Sequence, residues 1–270
     1  MAQPQVLPPG LALVDSHCHL GDPAFDADRE AVWQRARAAG VTRAVIIGAG
    51  GGSASNAVAI ATAGAHPEAM RAVVGIHPHD AKDATPAALS ELETLAREQL
   101  VAAIGESGLD YYYTHSPREA QIESLRAHVA LARSARKPLV VHCRDAYVDL
   151  LRVLREERAH EVGGVVHCFT GSTDEARGVL DLGFAISLSG IVTFRNADAL
   201  RAAARAVPRD RLLVETDAPF LAPVPLRGKR CEPAFVVETA LALAKVRDED
   251  LGELCAATSA NAALRFSLPA

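Results

Sequence analysis

The chain has 270 residues, 49% of them apolar, and a formal net charge of −5. That is enough apolar chain for one large α/β barrel, and the mild negative balance argues against a protein that coats nucleic acid without a defined site. No run can span a bilayer, the N-terminus lacks the basic and apolar regions of a signal peptide, and the five cysteines form no Cys-x-x-Cys pair, so a single cytoplasmic domain over residues 1–270 with reduced thiols is expected.

In chain order, short apolar runs alternate with amphipathic segments. Strands are expected at Leu11–Ser16, Ala44–Gly48, Ala72–Ile76, Val101–Glu106, Leu139–His142, Val165–Phe169, Ala185–Ser189 and Leu212–Glu215. Helices are expected near 27–39, 53–65, 86–99, 117–136, 145–160, 173–182, 196–206 and 233–246, with a last one at 249–264 packed at the end. Near-continuous apolar strands separated by helices imply a parallel sheet covered on both faces. Eight such units in this length imply a closed TIM (β/α)8 barrel. An open doubly wound sheet is disfavoured, because ligand-type residues recur at the ends of most strands, the first and last included. Thr85-Pro86 and Ser116-Pro117 read as helix caps with proline at the first turn. Gly40 and Gly183 read as helix ends.

In such barrels the active site lies at the C-terminal ends of the strands. Six of the ten histidines fall there: His17, His19, His77, His79, His142 and His167. His17 and His19 alternate with Cys18, so they share a strand face. With Glu106 and Asp217, four of these imidazoles form a donor set suited to two divalent cations sharing a bridge. No lysine lies on the fourth strand and Lys137 stands at the wrong end of the fifth, so Glu106 is the natural bridging group. Nitrogen and oxygen donors suit zinc or manganese, whereas a phosphate substrate suits magnesium.

Six motifs carry a family resemblance: Asp15-Ser16-His17-Cys18-His19-Leu20, Gly75-Ile76-His77-Pro78-His79, Gly105-Glu106-Ser107-Gly108-Leu109-Asp110-Tyr111-Tyr112, His142-Cys143-Arg144-Asp145-Ala146, His167-Cys168-Phe169-Thr170-Gly171-Ser172 and Glu215-Thr216-Asp217-Ala218-Pro219. From Asp15 to about Phe266 the chain resembles the TatD family of metal-dependent deoxyribonucleases, within the amidohydrolase-like metal barrels. The resemblance implies that His17, His19 and Asp217 hold one metal, that His142 and His167 hold the other, and that Glu106 holds both. It implies that His77 contacts substrate phosphate and that Asp217 doubles as proton acceptor. The chain departs from the family pattern at Leu226, where histidine is expected, and at Cys231, where asparagine is expected. It also carries Leu264-Arg265 in transposed order, which turns the arginine by about 100° on a helix.

Around this set, Glu215 is expected to support a ligand, and Asp110 to reach substrate or hold its loop. Arg144 and Asp145 are read as a local ion pair or a site pair. Tyr111, Tyr112 and Tyr113 are read as a stacking surface or loop packing. Arg227, Lys229 and Arg230 form the best cationic patch for substrate phosphate. Gly48–Ser53 is read as a simple glycine run. His66, His115, His128 and His160 are expected at the surface. Cys18, Cys143 and Cys168 are expected to face the helix layer.

The leading expectation is a two-metal phosphodiesterase acting on DNA, on ends or single strands, with a metal-activated water attacking phosphorus and Asp217 taking its proton. An amide or ester hydrolase on aminoacyl-type substrates is the alternative, because the same metal barrel serves both chemistries. A purely structural metal module is disfavoured, since His and carboxylate donors at a barrel mouth leave coordination positions open. A monomer suffices for any of these.

Overall fold

A computed structural model describes residues 3–269. The strands are β1 (Leu13–Cys18), β2 (Val41–Ile47), β3 (Met70–Val74), β4 (Val101–Asp110), β5 (Leu139–Arg144), β6 (Gly164–Val166), β7 (Ala185–Leu188) and β8 (Leu212–Val214). They form one parallel sheet in sequence order. The helices are α1 (Arg29–Ala38), α2 (Ser53–Ala65), α3 (Pro86–Leu95), α4 (Arg118–Ala135), α5 (Tyr147–Glu156), α6 (Thr173–Asp181), α7 (Asp198–Ala206), α8 (Val236–Arg247) and α9 (Leu251–Phe266). The architecture is a TIM barrel, as the alternation of runs implies. No helix among the described residues is long and apolar enough to cross a membrane.

The pleat sorts the strand side chains into two layers. Val14, Val45, Val73, Ala103, Val140, Val165, Ala185 and Leu213 meet inside the barrel, where Ala262 and Phe266 of α9 close the lower end. The alternate positions, among them Leu13, Ile46, Ala72, Ile104, Leu139 and Leu212, pack outward against the helices. Apolar side chains therefore fill the lower barrel, and the polar strand ends stand above them.

The barrel closes between β8 and β1 through side chains and loop backbone. Asp15 accepts the Thr216 backbone N–H at 2.9 Å and its hydroxyl at 2.6 Å. The Ser16 hydroxyl donates to Val214 O at 2.9 Å, and Asp217 N donates to His17 O at 2.9 Å. The β1–β2 register shifts between Asp15 and Cys18, which is how an irregularity re-aims side chains at a barrel rim.

Local signals explain most boundaries. Thr85 caps α3 by accepting Ala88 N–H, with Pro86 at the first turn. Ser172 and Glu175 form a capping box on α6. Three expectations shift. α5 starts at Tyr147 because Asp145 has φ 55°, outside the helical region. Ser116 does not cap α4; its hydroxyl donates to His79 O and accepts Lys82 N–H. β4 also runs past Glu106, because Ser107 through Asp110 continue the ladder opposite Val141 through Arg144. Two glycines set the spacing of β3 and β4: a Cβ on Gly75 would collide with the backbone of Gly105. The strands can approach this closely, just before His77 and Glu106, only without side chains there.

Candidate metal centre

Glu106 lies at the middle of the mouth, buried, with a different set of imidazoles facing each carboxylate oxygen. Oε1 is 2.7 Å from His167 Nε2, 3.1 Å from His142 Nδ1 and 3.3 Å from His77 Nε2. Oε2 is 3.3 Å from His17 Nε2 and 3.6 Å from His19 Nε2. Asp217 Oδ1 completes the second set, 3.6 Å from His17 and 3.5 Å from His19. Its own backbone has φ 58°, a left-handed conformation rare outside glycine. The rings of His17 and His167 stack at 3.8 Å and 6°, so the two sets share a wall.

Outer partners decide which ring nitrogens carry protons. Asp110 Oδ2 lies 3.1 Å from His142 Nε2, and Glu215 Oε1 lies 3.3 Å from His167 Nδ1. With a cation bound, each carboxylate would draw the proton to the far nitrogen and leave a lone pair for the ion beside Glu106. His77 is wired the other way. Its Nδ1 accepts His79 N–H at 3.1 Å, so the proton of the neutral ring sits on Nε2. His77 therefore presents a donor, although His77, Glu106 and His142 lie close enough to form a donor cluster.

The donor spacing fits cations. His17 Nε2 and His19 Nε2 are 3.4 Å apart, as are His142 Nδ1 and His167 Nε2. Tetrahedral nitrogen donors at ~2.1 Å from one ion stand ~3.4 Å from each other. Glu106 Oε2 and His17 Nδ1 are buried with no hydrogen-bond partner among the described residues, which is costly unless something else satisfies the site. His17, His19 and Asp217 also group as a candidate set in their own right. Without an ion, the cluster balances its charges internally. Burial opposes ionisation of Glu106, but the imidazoles of His167 and His77 hold its carboxyl well below the usual range. Burial likewise opposes a proton on His167, and Glu106 with Glu215 raises it well above the usual value.

Comparisons with known proteins assign the chain to a family. The family model described as TatD related DNase matches residues 14–267. The chain belongs to the TatD family. It is 43% identical over 271 residues to the metal-dependent hydrolase YcfH of Escherichia coli strain K12, covering 96% of this chain and 97% of that protein. It is 36% identical over 261 residues to the 3'-5' ssDNA/RNA exonuclease TatD of Klebsiella pneumoniae strain 342, covering 95% and 98%. Among solved structures it resembles the TatD homologue YjjV of Escherichia coli, with TM-score 0.88 and 28% identity, covering 95% and 98%. This TatD protein is thus a metal-dependent hydrolase.

The positions where it departs from the TatD pattern are engaged as follows. Leu226 and Cys231 are fully buried, and Cys231 Sγ faces Thr216 O at 4.0 Å. Arg265 turns inward and donates to Gly183 O, which leaves Leu264 exposed. In the same loop Arg227 lies over the Phe194 ring at 3.9 Å and Lys229 is exposed. Arg230 is turned to the α1 side, where it pairs with Asp28 at 2.8 Å and Glu232 at 3.0 Å.

Several residues carry roles that sequence pattern did not expose. His128 is buried, not at the surface: its Nε2 accepts Ile76 N–H at 3.0 Å and its Nδ1 donates to Ser124 O at 2.7 Å, which anchors the turn into His77. Gln121 accepts Asp110 N–H and donates to Asp110 O, holding the β4 end. Asn56 does the same for Gly75. All three sit on helices, where periodicity marks a face but not a polar partner. Asp15 had no assigned role, and no local signal reveals a contact 201 residues away. Cys168 does not pack with the helices; its Sγ meets Ser189 Oγ at 3.2 Å, and its φ is 42°. Arg144 makes no ion pair with Asp145 and lies instead over Tyr112 at 3.8 Å and Tyr113 at 4.8 Å.

Proposed function

We propose that this chain hydrolyses phosphodiester bonds of DNA with two divalent cations, magnesium, manganese or zinc, shared through Glu106. The observation that carries the reading is the division of labour on Glu106, whose Oε1 and Oε2 face separate groups of imidazoles. His17, His19 and Asp217 would hold one cation, His142 and His167 the other. The family model's description and the Klebsiella relative's printed activity support a nucleic-acid substrate.

Bound cations would polarise the phosphoryl oxygens and make a water molecule a nucleophile at neutral pH. The rest is work for the chain. His77 directs its Nε2 proton to a phosphoryl oxygen, where negative charge grows during attack. Asp217, partly exposed at the mouth, takes the proton of the attacking water. Asp110 and Glu215 keep His142 and His167 in the tautomers that face inward. Arg227 and Lys229, on the loop after β8, contribute attraction for the strand's phosphates.

The test is direct. Purified protein is incubated with labelled single-stranded and duplex DNA, with and without each cation, beside a panel of aminoacyl esters. Cation-dependent cleavage of DNA is the expected result. Ester turnover with intact DNA would overturn the reading.

A further inference from the structure

Three aromatic side chains stand out by exposure: Tyr112 at 57%, Tyr113 at 49% and Phe220 at 53%. Every other large exposed apolar side chain among the described residues is aliphatic, and these three all sit at the mouth of the barrel. Phe220 lies edge-on to His19 at 6.0 Å, and its N–H bonds to Asp217 O. Tyr112 and Tyr113 donate their backbone N–H groups to Asp110 Oδ1 at 3.0 and 2.8 Å, and the other oxygen of that carboxylate holds His142. One aromatic group is therefore fixed to the His19 set and the other to the His142 set, with Glu106 between them.

The tyrosine flank also carries a cation. Arg144 is laid over both tyrosine rings, and no carboxylate pairs with it among the described residues. Its neighbours on the strand ends are acids and imidazoles already engaged with one another. A guanidinium held over aromatic rings with no carboxylate partner has N–H groups available for phosphate.

We propose that Phe220 and the Tyr112–Tyr113 pair bracket the scissile phosphate by stacking on the unpaired bases either side of it, with Arg144 on the adjoining phosphate. The bracket selects single strands, because the faces of paired bases in a duplex are already covered by their neighbours. It rests on the phosphodiesterase reading above and adds the residues that choose the substrate's form.

The experiment compares kcat/KM of wild type, Phe220→Ala, Phe220→Leu, Phe220→Tyr and Tyr112→Ala/Tyr113→Ala on two single-stranded oligonucleotides of equal length. One is intact; the other lacks the bases flanking the cleaved bond. On the intact strand the Ala variants should fall about 10- to 100-fold, the usual range for a lost stacking contact. Phe220→Leu should stay impaired, and Phe220→Tyr should recover. On the abasic strand wild type should itself drop, and the variants should add little further loss. Equal losses on both strands, or full rescue by leucine, would reduce these rings to packing and overturn the bracket. Wild type that cleaves DNA while every variant matches it also overturns the bracket alone. Wild type that cleaves no phosphodiester at all overturns both readings.

Discussion

Asp15 and Thr216 join the two ends of the barrel: one carboxylate on β1 accepts both the backbone N–H and the hydroxyl of the residue that follows Glu215 after β8. No strand ladder pairs β8 with β1 among the described residues. The polar seam does that work beneath the candidate ligands His17 and Asp217.

Thr216→Val keeps the side-chain shape and removes the hydroxyl donor. A buried carboxylate oxygen then loses its partner, which costs roughly 1–3 kcal/mol. Urea unfolding should show that loss. Cation affinity should fall as well, because Asp217 is the next residue. A variant as stable as wild type would mean the β8–β1 contact is held elsewhere.

Glu106→Gln retains the size of the bridge and removes its charge. We expect cation content measured on the purified protein to drop from two per chain to one or fewer, with turnover lost and the circular dichroism spectrum unchanged. A variant that keeps two cations and its turnover would show that Glu106 is not shared between sites.

Asp217→Asn keeps one coordinating oxygen but abolishes the base. Loss of general-base help typically lowers kcat by about 10²–10⁴-fold. The measurement pairs kcat with melting temperature on one sample. Retained turnover with a lowered melting point would assign the Asp217 carboxylate to holding the mouth together through His17 and His19.

The cationic loop splits by geometry. Arg230 is already bound by Asp28 and Glu232, so Arg230→Ala should lower stability and leave the salt dependence of DNA binding unchanged. Arg227 lies over Phe194 with no carboxylate pairing it among the described residues. Its removal should reduce the salt slope by about one. Titrations of binding against salt concentration separate the two, and a reversed pattern would move the phosphate contact to Arg230.

His128 supplies a pH readout outside the metal centre. Burial lowers its pKa from 6.5 to about 4. Between those values the unfolded chain takes up a proton at this ring and the folded chain does not. Stability therefore declines as pH falls through that window and is fully present above it. The shift corresponds to at most ~3 kcal/mol. His128→Gln, which keeps an acceptor for Ile76 N–H, should flatten the stability profile between pH 4 and 6.5. An unchanged profile would place the acid sensitivity in other groups.

The barrel was legible because near-continuous apolar strands and helical segments alternate throughout the chain, and because chemistry clusters at strand ends in such folds. The same clustering marks six strand-end histidines with Glu106 and Asp217, and the family resemblance implies that His17, His19, His142 and His167 are the ligands among them. What stayed hidden depends on contacts between distant elements. A helix pattern shows that His128 recurs on a face, yet not that Ile76 N–H waits opposite. A run of basic residues at 227–230 looks uniform in sequence, and only packing against α1 turns Arg230 away from its neighbours. Strand ends are blurred for a related reason: pairing with β5, invisible locally, carries β4 on to Asp110.

The seam has a consequence for synthesis. His17 and His19 leave the ribosome early, while Asp217 follows about 200 residues later, an interval on the order of ten seconds or more at ordinary translation rates. Until then the first imidazoles have Glu106 but neither the second carboxylate, Asp217, nor the last strand to lean on. Contacts this far apart in sequence also form late in folding, since the loop they close must be ordered first. A nascent chain interrupted before residue 217 therefore lacks one of the candidate donors and the closing seam to Asp15.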